Sequence, residues 1–269
     1  MREKPAITAS VYKDWSVKVP EITIYFWIIK VLATTVGETF ADFLNSTLGF
    51  GLNGTTAVTV LVLIGVMSLQ FRSAKYKPVL YWLVVVLISI AGTLFTDNLT
   101  DNLGISLLIS SIVFAVILTI IFVSWHLKEG TIAIHSIFTP RRESFYWGAI
   151  LFTFALGTAT GDLLAERFSL GYGVSLLIFA GAIGFFVLLR KFRVVSSVFA
   201  FWAIYVLTRP LGASIGDLLS QSKQDGGIGL GTTVTSGIFL AIIFLLVGYL
   251  LKSKKDQIPL SQALSESVN

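Results

Sequence analysis

The sequence predicts an all-α integral membrane protein with about eight transmembrane helices, which pair into four helical hairpins. The chain is 55% hydrophobic and 13% charged, whereas soluble domains carry about 25% charged residues. Eight apolar runs are long enough to cross a hydrocarbon core of about 30 Å, which takes roughly 20 helical residues. These runs are apolar on every face, which favours helices over the alternating pattern of a transmembrane β-barrel.

The predicted helices and the segments between them follow from the ends of these apolar runs. The helices are predicted over 22–43, 54–71, 79–97, 105–126, 145–163, 172–190, 195–217 and 233–251. They group into repeats over 22–71, 79–126, 145–190 and 195–251, with cytoplasmic tails over 1–21 and 252–269 and a cytoplasmic linker over 127–144.

The basic residues predict the orientation of the chain. Sixteen of the twenty Lys and Arg residues lie in the two tails and in three alternate loops, and cytoplasmic loops retain such residues during insertion. Both termini are therefore predicted to be cytoplasmic, and the net charge of +5 is assigned to orientation instead of nucleic-acid binding. Arg141, Arg142 and Glu143 are interpreted as a cluster that faces lipid headgroups. The absence of Cys excludes disulfides and thiolate chemistry.

One pattern recurs four times along the chain. A Trp is followed ten residues later by a Gly and five residues after that by an Asp, within segments that align without gaps. The positions are Trp27, Gly37 and Asp42; Trp82, Gly92 and Asp97; Trp147, Gly157 and Asp162; and Trp202, Gly212 and Asp217. Each repeat continues into a second apolar helix and therefore crosses the membrane twice. All four repeats then share one orientation, and their pseudo-symmetry axis runs along the membrane normal.

The Trp and Gly of each repeat are assigned structural roles. The Trp residues are expected near the cytoplasmic interface, where aromatic side chains are common. The Gly is expected to permit either close helix packing or a break in the helix.

With this pattern the chain resembles a bacterial family of uncharacterised membrane-anchored proteins, built of four tandem repeats of unknown function. The resemblance rests on the four Trp residues with their Gly and Asp partners, and on the segments TDNLTDNLG and IHSIFTPRRESFYW. It implies two transmembrane segments per repeat and a bacterial cytoplasmic membrane. The fourth repeat departs most, because Arg209 and Pro210 lie inside its first helix.

The repeat aspartates are the strongest candidates for a functional site. Charged side chains within a membrane span cost roughly 2.5–3.5 kcal/mol each on insertion scales, so an intramembrane carboxylate is a functional hypothesis by default. If the first helices of the repeats form an inner ring, Asp42, Asp97, Asp162 and Asp217 would face one axial cavity, an arrangement that attracts cations. Glu38 lies one helical turn before its repeat Asp and extends this predicted cation- or proton-binding site.

Two basic residues also lie within predicted helices. Arg209 shares the approximate face of Asp217 and is predicted to act as a counter-ion or to form a structural salt bridge. Lys30, three residues after Trp27, is expected to extend to the cytoplasmic interface. Asp101, Glu166 and Asp225 are expected to be solvated in outer loops.

Other interpretations of the aspartates stay open. Each could end its helix at the interface and cap the following turn, or could form interhelical hydrogen bonds in a structural or sensory protein that transports nothing. The leading hypothesis is a transporter or permeation protein for a small cation, either proton-coupled or carrying a hard metal ion that the four Asp residues bind. No enzyme motif is found, so no enzymatic activity, cofactor or nucleic-acid partner is predicted.

Overall fold

The computed structural model describes residues 17–257, which form eight α-helices numbered in chain order. The helices are α1 (Ile24–Asp42), α2 (Gly51–Arg72), α3 (Pro78–Asp97), α4 (Leu107–Glu129), α5 (Pro140–Asp162), α6 (Gly171–Lys191), α7 (Ser197–Ser220) and α8 (Thr232–Ser253). All eight are long and apolar enough to cross a membrane, as predicted. Most of the two predicted tails, over 1–16 and 258–269, lies outside the described residues.

The segment before the third repeat is more helical than predicted. Helix α4 continues to Glu129, and α5 begins at Pro140 instead of residue 145. The Thr139 side chain caps α5 by accepting a hydrogen bond from the backbone N–H of Arg142 at 3.2 Å. Proline is well suited to the first turn of a helix, where its missing N–H would have no partner. A capped start of this kind is polar, so the apolar run alone could not locate it.

The first helices of the four repeats form an inner ring. Helix α1 packs against α3 and α7, and α5 packs against the same two helices. Between 56% and 67% of the most apolar stretch of each inner helix is buried, against 11% to 28% for α2, α4, α6 and α8. The prediction that the Trp-bearing helices are the inner ones is confirmed.

The outer helices are arranged with an offset of one repeat. Each packs mainly against the first helix of the following repeat: α2 on α3, α4 on α5 and α6 on α7. The last outer helix, α8, packs on α1 and so closes the cycle. Each repeat therefore completes its packing only through its neighbour.

The repeat glycines set the spacing of the inner ring. Each one faces the residue that lies three positions before the glycine of a neighbouring repeat. The four pairs are Gly37 with Ser89, Gly92 with Phe154, Gly157 with Arg209, and Gly212 with Thr34. A Cβ atom at any of these glycines would overlap the facing side chain. The inner helices are continuous through the glycines, so the glycines permit close packing and do not break the helices.

Candidate functional site

The inner ring encloses a polar cavity at the end where its four helices finish. The cavity has a volume of about 200 Å³. It is lined by Glu38, Asp42, Asn45, Asp97, Thr100, Asp101, Leu107, Asp162, Glu166, Asp217 and Gln221. We call this space the carboxylate cavity. All four repeat aspartates and Glu38, which the sequence placed in one site, line it.

Each of these aspartates lies before the end of its helical segment. Three of the inner helices continue past the Asp as one π-helical turn, over Phe43–Thr47, Asn98–Asn102 and Leu163–Arg167. In α7 the helix itself continues to Ser220. The carboxylates of Asp42, Asp97 and Asp162 do not cap these turns. The interpretation of the aspartates as capping groups is therefore wrong for these three.

The carboxylates of the four repeat aspartates make no hydrogen bond within residues 17–257. Asp217 is the most enclosed, with 8% of its surface exposed, and Asp42, Asp97 and Asp162 are half-buried. Nor do the described residues contain a group of three or more His, Asp or Glu placed to hold a metal ion. The four aspartates therefore share the lining of one cavity without forming such a group in the described part of the chain.

An ion pair forms the floor of the carboxylate cavity. Arg209 is fully buried, and its Nη2 donates to Glu38 Oε2 at 3.0 Å. The same nitrogen donates to the hydroxyls of Thr93 and, at 2.7 Å, Thr158, while Nη1 donates to the Thr34 carbonyl at 2.8 Å. Arg209 thus forms a buried ion pair, which is compatible with both predicted roles, and its direct partner is Glu38 on α1 and not Asp217 on its own helix.

The repeat pattern explains how these partners meet. Glu38, Thr93 and Thr158 each come one residue after the repeat glycine, and Ala213 holds the fourth such position. Side chains at this position therefore lie at one level of the ring, where a single guanidinium reaches three of them. The planar group carries five N–H donors and can satisfy several acceptors at once.

Lys30 lies deeper in the ring, contrary to the prediction. It is fully buried, and its Nζ lies 4.0 Å from the ring centre of Phe154 and 4.3 Å from that of Tyr205. The amine makes no hydrogen bond to any residue that the structure describes. The expectation that Lys30 extends to the cytoplasmic interface is wrong, because its side chain is fully enclosed within the ring and an aromatic layer lies beyond it.

This aromatic layer is formed by the residues eleven positions before each repeat glycine. They are Phe26, Tyr81, Tyr146 and Phe201, all buried. The hydroxyls of the two tyrosines are hydrogen-bonded to each other. The neighbouring Trp residues pack into the core with them: three are at most 5% exposed, and only Trp27 is half-buried. Three of the four therefore lie inside the helix bundle and not in an exposed interfacial belt.

A second buried ion pair lies at the same end of the molecule. Lys18 Nζ donates to Glu143 Oε2 at 2.7 Å, and Gln70 Nε2 donates to Glu143 Oε1 at 3.0 Å. Glu143 is fully buried, so it does not face lipid headgroups as the sequence suggested. Its position four residues before Trp147, on the same helix face, is the signal that could have placed it inside.

Two further carboxylates reach the cavity. Asp101 and Glu166 were expected to be solvated in loops, and both are exposed, yet both line the mouth of the carboxylate cavity. Each follows its repeat Asp by four residues. Since the helices continue past the Asp, this spacing keeps the two carboxylates on one face.

The comparisons with known proteins identify the family. A family model described as Repeat of Unknown Function (DUF347) matches residues 25–76, 80–131, 145–194 and 200–256. The chain therefore belongs to this family, and it contains four of its repeats. Neither a curated protein nor a solved structure shows significant similarity to the chain.

Proposed function

We propose that this member of the repeat family is a multi-pass membrane protein that transports a small cation across the bacterial cytoplasmic membrane. The pseudo-symmetry axis of the four repeats runs along the membrane normal, and both termini are cytoplasmic. One observation carries the proposal: Asp217 is enclosed to more than nine-tenths of its surface, makes no hydrogen bond to a described residue, and lines a cavity together with its three repeat equivalents.

The charges around the cavity support a cationic ligand. Seven carboxylates line it, and no Lys or Arg is among the described lining residues. Arg209 offsets one charge through Glu38. Carboxylates in a space of low dielectric cannot all stay ionised without nearby positive charge. Cations or protons from solution would supply that charge.

The dimensions of the cavity favour a hydrated ion over a bare one. A volume of about 200 Å³ corresponds to roughly six or seven water molecules at about 30 Å³ each. Mg²⁺ gives up its waters reluctantly and is commonly bound through them by one or two carboxylates. Oxygen-only surroundings also suit hard ions such as Mg²⁺ and Mn²⁺. A hydrated divalent cation therefore fits both the size of the cavity and the oxygen ligands that line it.

The position of the cavity suits an entry site for transport. Its mouth carries the exposed Asp101 and Glu166, while the Arg209–Glu38 pair and the aromatic layer close the other end. The alternative of a structural protein requires the aspartates to form interhelical hydrogen bonds. They form none to the described residues, which favours transport.

The decisive experiment is cation flux into proteoliposomes. We expect the purified protein to take up Mg²⁺ or Mn²⁺, followed with a fluorescent indicator inside the vesicles, and Asp217→Asn and Asp97→Asn to reduce the rate at least tenfold. Asp225→Asn, which neutralises an exposed loop carboxylate, is the matched control. Variants that remain folded and keep both full flux and Mn²⁺ binding would contradict the proposal. Variants that fail to fold would instead support a structural role for the aspartates.

The orientation has a separate test. Reporter fusions after residues 77, 135 and 192 should all report the cytoplasm, because these loops carry the basic residues. An external signal from any one of them would contradict the common orientation of the repeats.

A further inference from the structure

The Lys30 amine lies inside the inner ring, between the Arg209–Glu38 pair and the aromatic layer, and it does not line the carboxylate cavity. Lys30 Nζ is enclosed by the faces of Phe154 and Tyr205 and makes no hydrogen bond to a described residue. A buried charge without a partner is costly. Packing of the inner ring does not need an amine here, because the equivalent positions in the second and third repeats are Val85 and Ile150.

Other polar atoms lie along the same axis at regular intervals. Relative to the repeat glycine, Ser89 comes three residues before, Lys30 and Tyr205 seven residues before, and Tyr81 and Tyr146 eleven residues before. The Ser89 and Tyr205 hydroxyls are buried and, like the Lys30 amine, have no hydrogen-bond partner among the described residues. A four-residue step along a helix is about 6 Å, a distance that a single water or a swing of the lysine side chain can bridge.

We propose that Lys30 is a proton-carrying residue that couples cation movement in the carboxylate cavity to proton movement through the closed half of the ring, which extends from the Arg209–Glu38 pair to the aromatic layer. The inference rests on the proposed function. When the cation leaves the cavity, a proton passes from the cytoplasm through the hydroxyls of Tyr81 and Tyr146 to the Lys30 nitrogen, whose lone pair forms the new N–H bond. When a cation binds, that N–H bond breaks and the proton returns to the cytoplasm by the same hydroxyls. One proton is therefore released on the cytoplasmic side for each cation that enters the cavity.

The physical basis is competition between the cation and the proton for the same negative field. Because Arg209 already offsets the charge of Glu38, the nearest unpaired carboxylate on the same helix is Asp42. It lies twelve residues after Lys30, or about 18 Å along α1 at 1.5 Å per residue. At an effective dielectric constant near 20, one charge at this distance changes the protonation equilibrium by about fivefold. A divalent cation in the cavity would change it more. The amine and the cavity are thus close enough to be coupled and too far apart to share a ligand.

Other titratable and charged groups also face this part of the axis. They are Arg209 and Tyr205 on α7, Tyr146 on α5, Tyr81 on α3 and Glu38 on α1. Helix α8, which packs on α1, carries Tyr249 and Lys252, and both are exposed. Arg209 stays charged throughout the accessible pH range, so it cannot exchange the proton. Among these groups, Lys30 is the buried amine whose lone pair can.

The first test needs no transport. Tryptophan fluorescence of the cation-free protein, titrated from pH 5.5 to 10, should contain a transition that is missing in Lys30→Met and in Lys30→Arg. Met fills a similar volume without a charge, and Arg retains its proton. Lys128→Met, which removes an exposed amine, is the control. A Lys30→Met titration that matches the wild-type titration would overturn the proposal, whether or not the protein transports a cation.

The second test measures coupling in proteoliposomes that contain a pH indicator. In the wild-type protein, Mg²⁺ added outside should release protons into the vesicle lumen from molecules whose closed half faces inward. Lys30→Met should lose that release at least tenfold while Mn²⁺ binding to the purified variant, followed by electron paramagnetic resonance, stays unchanged. Proton release that persists in Lys30→Met refutes the role of Lys30 and leaves the proposed function standing. A wild-type protein that neither binds Mn²⁺ nor moves Mg²⁺ refutes the proposed function, and the fluorescence titration then decides the protonation of Lys30 alone.

Discussion

The two halves of the inner ring are built from the same four helices and differ in how they use equivalent positions. In the carboxylate cavity, five residues after the repeat glycine, all four side chains are Asp. In the closed half, seven residues before it, the four side chains are Lys30, Val85, Ile150 and Tyr205. Fourfold repetition thus gathers like charges around one space, whereas the closed half contains one amine at one position. Four equivalent carboxylates together can attract a cation, whereas a single amine can bind and release one proton.

The Arg209–Glu38 pair lies between the two halves, and breaking it is expected to have the largest effect on stability. Arg209→Met would leave Glu38 buried without a counter-ion, with only the Thr93 hydroxyl as a donor, and breaking a buried ion pair in this way costs about 3–5 kcal/mol. The melting temperature of the detergent-solubilised protein should fall sharply. The double variant Glu38→Met, Arg209→Met should recover most of the loss, because no charge is then left unpaired. A double variant no more stable than Arg209→Met would show that the pair does not account for the cost.

Substitution of a repeat glycine tests the close packing between neighbouring inner helices. A Cβ atom at Gly212 would overlap the Thr34 side chain and lie 3.1 Å from the Thr35 backbone nitrogen. Overpacking of this kind costs about 1–3 kcal/mol, so Gly212→Ala should lower the melting temperature. Gly181→Ala in α6, where no atom lies within 4 Å of the added Cβ, is the matched control and should change little. Equal effects of the two substitutions would contradict the interface described here.

The sequence was most informative where a pattern repeats. Composition and apolar runs predicted eight helices, and the fourfold spacing of Trp, Gly and Asp predicted which helices are inner and that their carboxylates line one cavity. Position within a repeat also relates Glu38, Thr93 and Thr158, but their meeting at Arg209 depends on the helix order around the ring. That order is a tertiary property that one sequence does not contain.

The wrong predictions concern single residues whose surroundings come from distant parts of the chain. Extension to the interface is a reasonable default for a lysine near a helix end. For Lys30 the route is blocked by aromatic residues from all four repeats. Glu143 was assigned to the surface because its neighbours are basic, yet its partner Lys18 lies 125 residues away in sequence. No local pattern signals a contact of that kind.

A substitution in the Lys18–Glu143 pair tests how strongly this ion pair holds the segment around Lys18 against the helix bundle. Glu143→Gln should remove the charge that holds Lys18 and cost about 1.5–3 kcal/mol, the range for hydrogen bonds to charged groups. The Lys18 side chain is 7% exposed in the pair, so limited trypsin digestion should cleave after it faster in the variant. Asp225→Asn, in an exposed loop, is the control. Unchanged cleavage after Lys18 would mean that other contacts hold this segment.

The smallest effect is expected at Asp256, a buried carboxyl that has a hydrogen-bond donor. The cavity aspartates have no such donor among the residues that the structure describes. Tyr76 Oη donates to Asp256 Oδ2 at 2.6 Å. Burial raises the pKa of Asp256, and the bond from Tyr76 only partly opposes this shift. The folded protein therefore binds this proton more tightly than the unfolded chain, so stability falls as pH rises from the ordinary Asp value through the raised one. Asp256→Asn keeps a group that can accept the Tyr76 hydrogen bond and removes the titration. Its melting temperature should fall less than that of the wild type between pH 4 and pH 7, and an equal fall in both would place the pH dependence elsewhere.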